Sequence, residues 1–383
     1  MRGLLILALY FCVATSSIAD DRLLVEAKVN GKAVLLAFDT GTEVTTLFRQ
    51  AARRLDLEVT DPSPDVKIEP GKVALGSTEE CLFQVGDSMI RTRLRVFDAP
   101  QYLKWNVDGF LGWADAKNTI LWISADRKKL SALSALPDDM GLWAKWDLGQ
   151  DSPILAITLP IAPGAEGTIL IDTGSPYGVA LSPKQWKKWR DEHRACPLTL
   201  AAAYFPAIGL RVYEQSWADN LAFGRFSITN VPVMPAPPVW ERAFTNYQAT
   251  LGLFALTRMD VIIDGKNAAI YTRPNPRPAS RYEYNRLGAV FVPAVTKSDE
   301  LVAHVAENSS AQEAGIRNGD VLRRIGDLDV TKWRTDSRVL PLARFWSRPA
   351  GTELELTLMR NGRPVNVVVV LKEIFPQVKL RHE

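Results

Sequence analysis

The chain has 383 residues, too long for one ordinary core and long enough for two or three domains. Its 47% hydrophobic and 23% charged residues are usual for a soluble globular protein, and 46 basic against 43 acidic side chains leave a net charge of only +3. No Lys/Arg block argues for nucleic-acid binding, and three scattered histidines (His193, His304, His382) leave a serine or zinc protease hard to build.

The N-terminus carries Arg2, an apolar run Leu4–Val13 and a small-x-small finish at Ser17-Ile18-Ala19. This pattern predicts a secretory signal peptide over residues 1–19 and export to a periplasm or the cell exterior. The run is well short of the roughly 20 residues that span a bilayer, so no membrane span is expected once the signal is removed. Tyr10-Phe11 precede Cys12 where a lipidation site would need small residues. Of the remaining cysteines, Cys81 and Cys196 could pair or remain two separate buried thiols, and spacing does not decide between them.

Arg22 to Val29 and Lys32 to Phe38 are extended apolar runs around Asn30-Gly31, a hairpin signal that places Asp39 at the end of the second strand. Thr45 to Leu57 has a helix-like pattern, Leu75 to Phe97 reads as two or three strands, and Thr119 to Ser124 as another. The order then repeats. Ile154 to Leu159, a Pro/Gly turn and Thr168 to Ile171 form a second hairpin ending at Asp172, followed by a helix from Pro183 over Lys184 to His193. Strands are expected at Leu221 to Ile228, Val231 to Met234 and Val261 to Asp264; the Pro-rich run Val231 to Val239 either borders a substrate cleft or is a rigid surface loop, the second reading being preferred. Arg273 to Arg286, rich in Pro and Arg, reads as a linker ahead of one small C-terminal domain.

Each hairpin ends in the same words. Ala37-Phe38-Asp39-Thr40-Gly41-Thr42 and Leu170-Ile171-Asp172-Thr173-Gly174-Ser175 both read apolar, apolar, Asp, Thr, Gly, hydroxyl. Asp-Thr-Gly arises at a given position by chance about once in several thousand, and a single copy is also an ordinary turn sequence. Two copies are each trailed by an apolar-Gly element, Gly109 to Trp113 and Ala249 to Leu253, at roughly 70 to 80 residues, which marks a long-period repeat. Two carboxylates brought about 3 Å apart cannot both ionise cheaply, so they share one proton, as acid–base hydrolysis of a peptide bond requires.

With these motifs, most of residues 21–273 resembles a single-chain aspartic protease of the pepsin/retropepsin type. Val107-Asp108-Gly109-Phe110-Leu111-Gly112 resembles the family's second signature, and Leu251-Gly252-Leu253-Phe254 through Asp264 its closing segment. The resemblance implies Asp39 and Asp172 as the catalytic pair. It implies that Thr40 and Thr173 cross-link the two turns, that Gly41 and Gly174 permit close approach, and that Thr42 and Ser175 hydroxyls bond the outer carboxylate oxygens. No metal or organic cofactor is implied. The flap Tyr of pepsin-like enzymes has no counterpart in Lys72 to Phe83, where Gly76-Ser77-Thr78 is the expected flap tip, so the likeness leans toward retropepsins.

Residues 286–374 resemble a PDZ domain of the bacterial type through Ser310-Ala311, Ala314-Gly315-Ile316 and Gly319-Asp320-Val321-Leu322, with closing strands at Thr352 to Met359 and Pro364 to Leu371. Arg286-Leu287-Gly288-Ala289-Val290-Phe291 resembles that family's carboxylate-binding loop, which implies a peptide C-terminus as ligand at Leu287, Gly288, Ala289 and Val290.

The chain is thus expected to be mainly β: a two-lobed, acid-protease-like β-barrel domain followed by a PDZ-like domain. The boundaries expected are 1–19 signal, 20–149 first lobe, 150–272 second lobe, 273–285 linker and 286–374 PDZ. The function expected is that of a monomeric exported aspartic endopeptidase acting on polypeptides. The alternative is a catalytically inactive peptide-binding or PDZ adaptor protein on the same scaffold.

Overall fold

The computed structural model describes residues 22–62, 75–86, 88–98, 106–125, 130–149, 152–205, 209–237, 244, 246–275, 281–295 and 298–375, so the signal peptide expected at 1–19 lies outside the described residues. The architecture is mainly β, built from three sheets. No helix among the described residues is long and apolar enough to cross a membrane.

The first sheet starts with the hairpin of β1 (Leu24–Val29) and β2 (Lys32–Asp39), turned by Asn30 and Gly31 at φ 49° and 81°, the positive values a type I′ turn needs. It continues with β3 (Thr46–Phe48), β4 (Val59–Thr60), β5 (Gly76–Val85), β6 (Ser88–Phe97) and β7 (Gly109–Gly112) in the order β1-β2-β7-β3-β6-β5-β4. Pairing of β1 with β5 closes the sheet on itself. The helix-like stretch 45–57 divides into β3 and a short helix Arg49–Arg54, because Thr46, Leu47 and Phe48 are drawn in between β6 and β7.

The second sheet comprises β8 (Ile120–Ile123), β9 (Leu130–Leu133), β10 (Ala144–Leu148), β11 (Ala156–Ala162), β12 (Ala165–Asp172) and β13 (Val179–Leu181). It goes on through β14 (Thr199–Phe205), β15 (Gly209–Phe223), β16 (Phe226–Pro235), β17 (Tyr247–Gly252), β18 (Met259–Asp264) and β19 (Ala269–Pro274). The spatial order is β14-β15-β16-β13-β17-β12-β11-β10-β19-β18-β8-β9. The repeat expected from sequence is present as topology. β2 runs parallel to β7 with Asp39 opposite Gly112, and β12 runs parallel to β17 with Asp172 opposite Gly252. β3 lies antiparallel to β7 and parallel to β6, just as β13 lies antiparallel to β17 and parallel to β16. The helix Pro183–Glu192 begins as expected, with the Ser182 hydroxyl accepting the Gln185 N–H at 3.2 Å.

Several expectations change. The boundary at 149/150 cuts a continuous sheet, since β8 pairs with β18 and β10 with both β11 and β19. The strand expected at Leu221 to Ile228 turns at Gly224, whose φ of 58° and closeness to the Pro160 carbonyl leave no room for a side chain. The Pro-rich run does not start as a surface loop: Val231 to Pro235 is strand, in line with the strand expected at Val231 to Met234, and Val231 and Val233 are core residues. Gly76-Ser77-Thr78 opens β5, with Ser77 and Thr78 paired to β4 and Gly76 to β6, so it is not a hairpin tip; the connection 63–74 lies outside the described residues. Cys81 and Cys196 are both free.

The third sheet has β20 (Ala289–Pro293), β21 (Leu301–Val305), β22 (Val321–Ile325), β24 (Glu353–Arg360) and β25 (Arg363–Val370) side by side, with β23 (Leu328–Asp329) on β22. Leu287, Phe291, Ile316, Leu322, Trp346 and Leu356 fill its core. The expected linker is only partly one. Residues 276–280 lie outside the described set, but Tyr282 and Tyr284 are buried with Phe375 against Trp217 and Phe254 of the second-sheet region. Long-range aromatic partners override the loop-like composition there.

Candidate active site

β2 and β12 deliver their Asp-Thr-Gly turns to one place. A Cβ added to Gly41 would lie 2.7 Å from Asp172 Cγ, and one added to Gly174 would lie 2.4 Å from Asp39 Cγ. Each glycine is therefore the surface on which the other turn's carboxylate rests, and any side chain there would displace it. The turns are locked reciprocally. The Thr40 N–H donates to Thr173 Oγ1 at 3.0 Å and the Thr173 N–H to Thr40 Oγ1 at 3.0 Å. The Thr40 hydroxyl then donates to the Ile171 carbonyl at 2.6 Å, and the Thr173 hydroxyl to the Phe38 carbonyl at 2.7 Å. Each threonine thus grips the strand that carries the opposite Asp.

The two carboxylates, each only 1% exposed, are held differently. Asp39 Oδ1 accepts the Gly41 N–H at 2.9 Å and Oδ2 accepts the Thr42 hydroxyl at 3.0 Å. Asp172 Oδ1 accepts two backbone N–H groups, Gly174 at 3.0 Å and Ser175 at 3.1 Å. Its Oδ2 is buried with no hydrogen-bond partner among the described residues when both groups are taken as carboxylates. Thr42 acts as the resemblance implied. Ser175 does not: it serves Asp172 through its main-chain N–H rather than its hydroxyl, because that N–H already faces Oδ1 across the turn.

Burial raises both acids. Asp39 is pushed up to about 6 by desolvation, with the Thr42 hydroxyl, the Gly41 N–H and the Arg22 charge pulling the other way. Asp172 is raised well above the usual carboxylate range by desolvation and then by the negative charge of Asp39. A proton on Asp172 can hydrogen-bond the Asp39 carboxylate. The arrangement therefore favours one shared proton, carried by Asp172, with Asp39 ionised.

Leu287, Gly288, Ala289 and Val290 lie far in sequence from this pair, at the start of the third sheet, and all four are buried. Gly288, at φ 74°, sits where a Cβ would come within 2.2 Å of Ser309 Cβ. The Leu287 and Gly288 N–H groups both donate to Asn285 Oδ1, at 2.9 and 3.1 Å, and the Arg286 N–H donates to the Trp346 carbonyl at 2.9 Å. The loop's donors are thus engaged within the chain. Among the described residues no group of three or more His, Cys, Asp or Glu side chains could hold a metal ion.

Sequence reasoning missed two residues. Arg22, read as the start of a strand, places its charge on Asp39. Asn285, read as linker, is a buried hub. A single Asn inside a Pro/Arg-rich run carries no local signal of that. No family model and no curated protein matches this chain.

Proposed function

We propose that the chain is an aspartic endopeptidase whose Asp39/Asp172 pair activates water to hydrolyse a peptide bond. The observation that carries the reading is the reciprocal lock of the two Asp-Thr-Gly turns, Thr40 N–H to Thr173 Oγ1 and Thr173 N–H to Thr40 Oγ1, both at 3.0 Å. An ordinary turn needs no such partner. A pair of carboxylates that must share a proton does, because even a small increase in their separation would lose the coupling.

In this mechanism ionised Asp39 takes a proton from water as its oxygen bonds the scissile carbonyl carbon, while Asp172 gives its proton to the carbonyl oxygen. The tetrahedral diol then collapses. The proton on Asp39 passes to the departing nitrogen, the C–N bond breaks, and one hydroxyl proton of the diol returns to Asp172. One water is consumed and the dyad ends as it began. Both acids lie in one chain, so the site is complete in a monomer. The leader-like segment Leu4–Val13 supports action outside the cytoplasm, and the third sheet is read as PDZ-like from its sequence pattern and strand order.

Incubating the chain with denatured casein across pH, with and without a statine-type inhibitor, tests the reading. Acid-side cleavage that the inhibitor stops supports it. Absence of cleavage at every pH, with inhibitor binding retained, would instead identify a peptide-binding protein on the same scaffold.

A further inference from the structure

β14 is an edge strand of the second sheet, and its hairpin with β15 has two working faces. On one face Ala203, with Tyr213 alongside, joins Leu170, Tyr177, Met234 and Tyr247. Leu170 stands two residues before Asp172 on β12, so it shares a face of that strand with the carboxylate. On the other face Leu200 and Ala202, with Leu210 and Val212, pack against Val290, Val292 and Ala306 of the third sheet. The hairpin is therefore a single layer between the third sheet and the cluster that includes Leu170.

A buried side chain ties its edge to the third sheet. Asn285, 3% exposed, donates from Nδ2 to the Leu200 carbonyl at 2.9 Å and to the Ala289 carbonyl at 2.8 Å. Its Oδ1 accepts the Leu287 and Gly288 N–H groups, and its own carbonyl accepts the Thr199 hydroxyl at 2.5 Å. Every hydrogen-bonding position of the amide is used, with the acceptor end spent on the 287–288 loop and the donor end reaching β14. A buried amide so engaged fixes both partners, since freeing either leaves polar groups unpaired away from water.

We infer that Asn285 is a positioning residue for the candidate site: through Leu200 and Thr199 it makes the third sheet the outer support of the β14–β15 hairpin, and so sets the wall on the Asp172 side against which a polypeptide is captured. The inference rests on the peptidase reading of the dyad. The turns themselves are locked separately by Thr40 and Thr173, so loss of Asn285 should disturb substrate capture before chemistry.

Asn285→Asp is the discriminating variant. It keeps an acceptor for Leu287 and Gly288 but turns the donor end into an oxygen facing two carbonyls. Thr199→Val, which deletes only the hydroxyl on the hairpin side, is the milder companion. Amide hydrogen exchange on the full chain is expected to quicken by about tenfold in residues 199–212 and 177–181 of Asn285→Asp, the factor one lost buried hydrogen bond supports. Thr199→Val should show a smaller rise in the same segments. Exchange that quickens only in residues 285–293 overturns the inference. With casein as substrate, KM should rise several-fold in both variants while kcat stays within about twofold. A fall in kcat at unchanged KM overturns it too. If the unmodified chain cleaves nothing, the peptidase reading has failed, and the exchange pattern still decides whether Asn285 holds the hairpin.

Discussion

Thr42 gives its hydroxyl to Asp39 Oδ2 at 3.0 Å, and the residue in the matching place of the second turn, Ser175, gives Asp172 only its backbone N–H. This difference breaks the symmetry of an otherwise repeated motif. It spreads the two hydrogen bonds of Asp39 over both of its oxygens, while both of those to Asp172 fall on Oδ1 and leave Oδ2 to carry a proton.

The asymmetry predicts a pH effect from one hydroxyl and none from the other. The acidic limb of activity reports ionisation of Asp39, which its hydroxyl donor favours. Thr42→Ala should move that limb upward by about one pH unit, the equivalent of one hydrogen bond to a charged group. Ser175→Ala should leave it in place. Rate profiles of the two variants check this, and equal shifts would sink the assignment.

Asp39→Asn and Asp172→Asn should each abolish peptidase activity, and the double variant should be scarcely worse, since the pair acts as a unit. Stability should move the other way. Burial pushes Asp39 up to about 6 from its ordinary 3.8, so its folded form binds the proton more tightly. Stability is then fully present below the unfolded value and falls as pH rises through the folded one. At neutral pH, Asp39→Asn should therefore unfold at higher denaturant concentration, by about 1–3 kcal/mol. Destabilisation of that variant at pH 7 would refute the burial account.

The threonine lock predicts a strong coupling. Thr173→Val removes the acceptor of the Thr40 N–H and the donor to the Phe38 carbonyl, so about 2–4 kcal/mol should be lost. Thr40→Val should cost a similar amount. Because both substitutions break into the same network, the double variant should lose clearly less than the sum. A double-mutant cycle by urea unfolding measures this, and simple additivity would count against the lock.

Gly288 and Gly31 offer a paired test of backbone and space. Both have positive φ, 74° and 81°, but a Cβ at Gly288 would meet Ser309 Cβ at 2.2 Å whereas one at Gly31 meets nothing within 4 Å. Gly31→Ala should cost about 1 kcal/mol from conformation alone. Gly288→Ala should cost at least about 2 kcal/mol more, from the clash. Equal losses in thermal unfolding would mean that the 287–288 loop yields freely.

Much of the fold is legible in local chemistry. Asn30-Gly31 announces its turn, Ser182-Pro183 its helix start, and the two Asp-Thr-Gly motifs the elements they terminate. What is not legible depends on partners distant in the chain. Phe48 reads as helix until β6 and β7 flank its neighbours, and Tyr282 and Tyr284 read as linker until Trp217 and Phe254 cover them. In sequence the hydroxyl on Ser175 is equivalent to that on Thr42, and only the turn geometry separates them. Asn285 is the extreme case, since all its bonding partners but the adjacent loop lie some 85 residues away.

The strands β8 and β10 precede the second Asp-Thr-Gly hairpin in the chain, yet each is hydrogen-bonded to strands from its far end, β8 to β18 and β10 to β19. A boundary drawn between the two repeats therefore severs a sheet rather than a hinge. Melting of either repeat must strip the other of paired edges, so the two cannot denature one after the other. Trp122 on β8, Trp146 on β10 and Trp217 on β15 should lose their fluorescence environments at one common midpoint, as a single cooperative transition across both repeats. Separate midpoints for tryptophans replaced one at a time would show that the shared strands do not bind the halves into one folding unit.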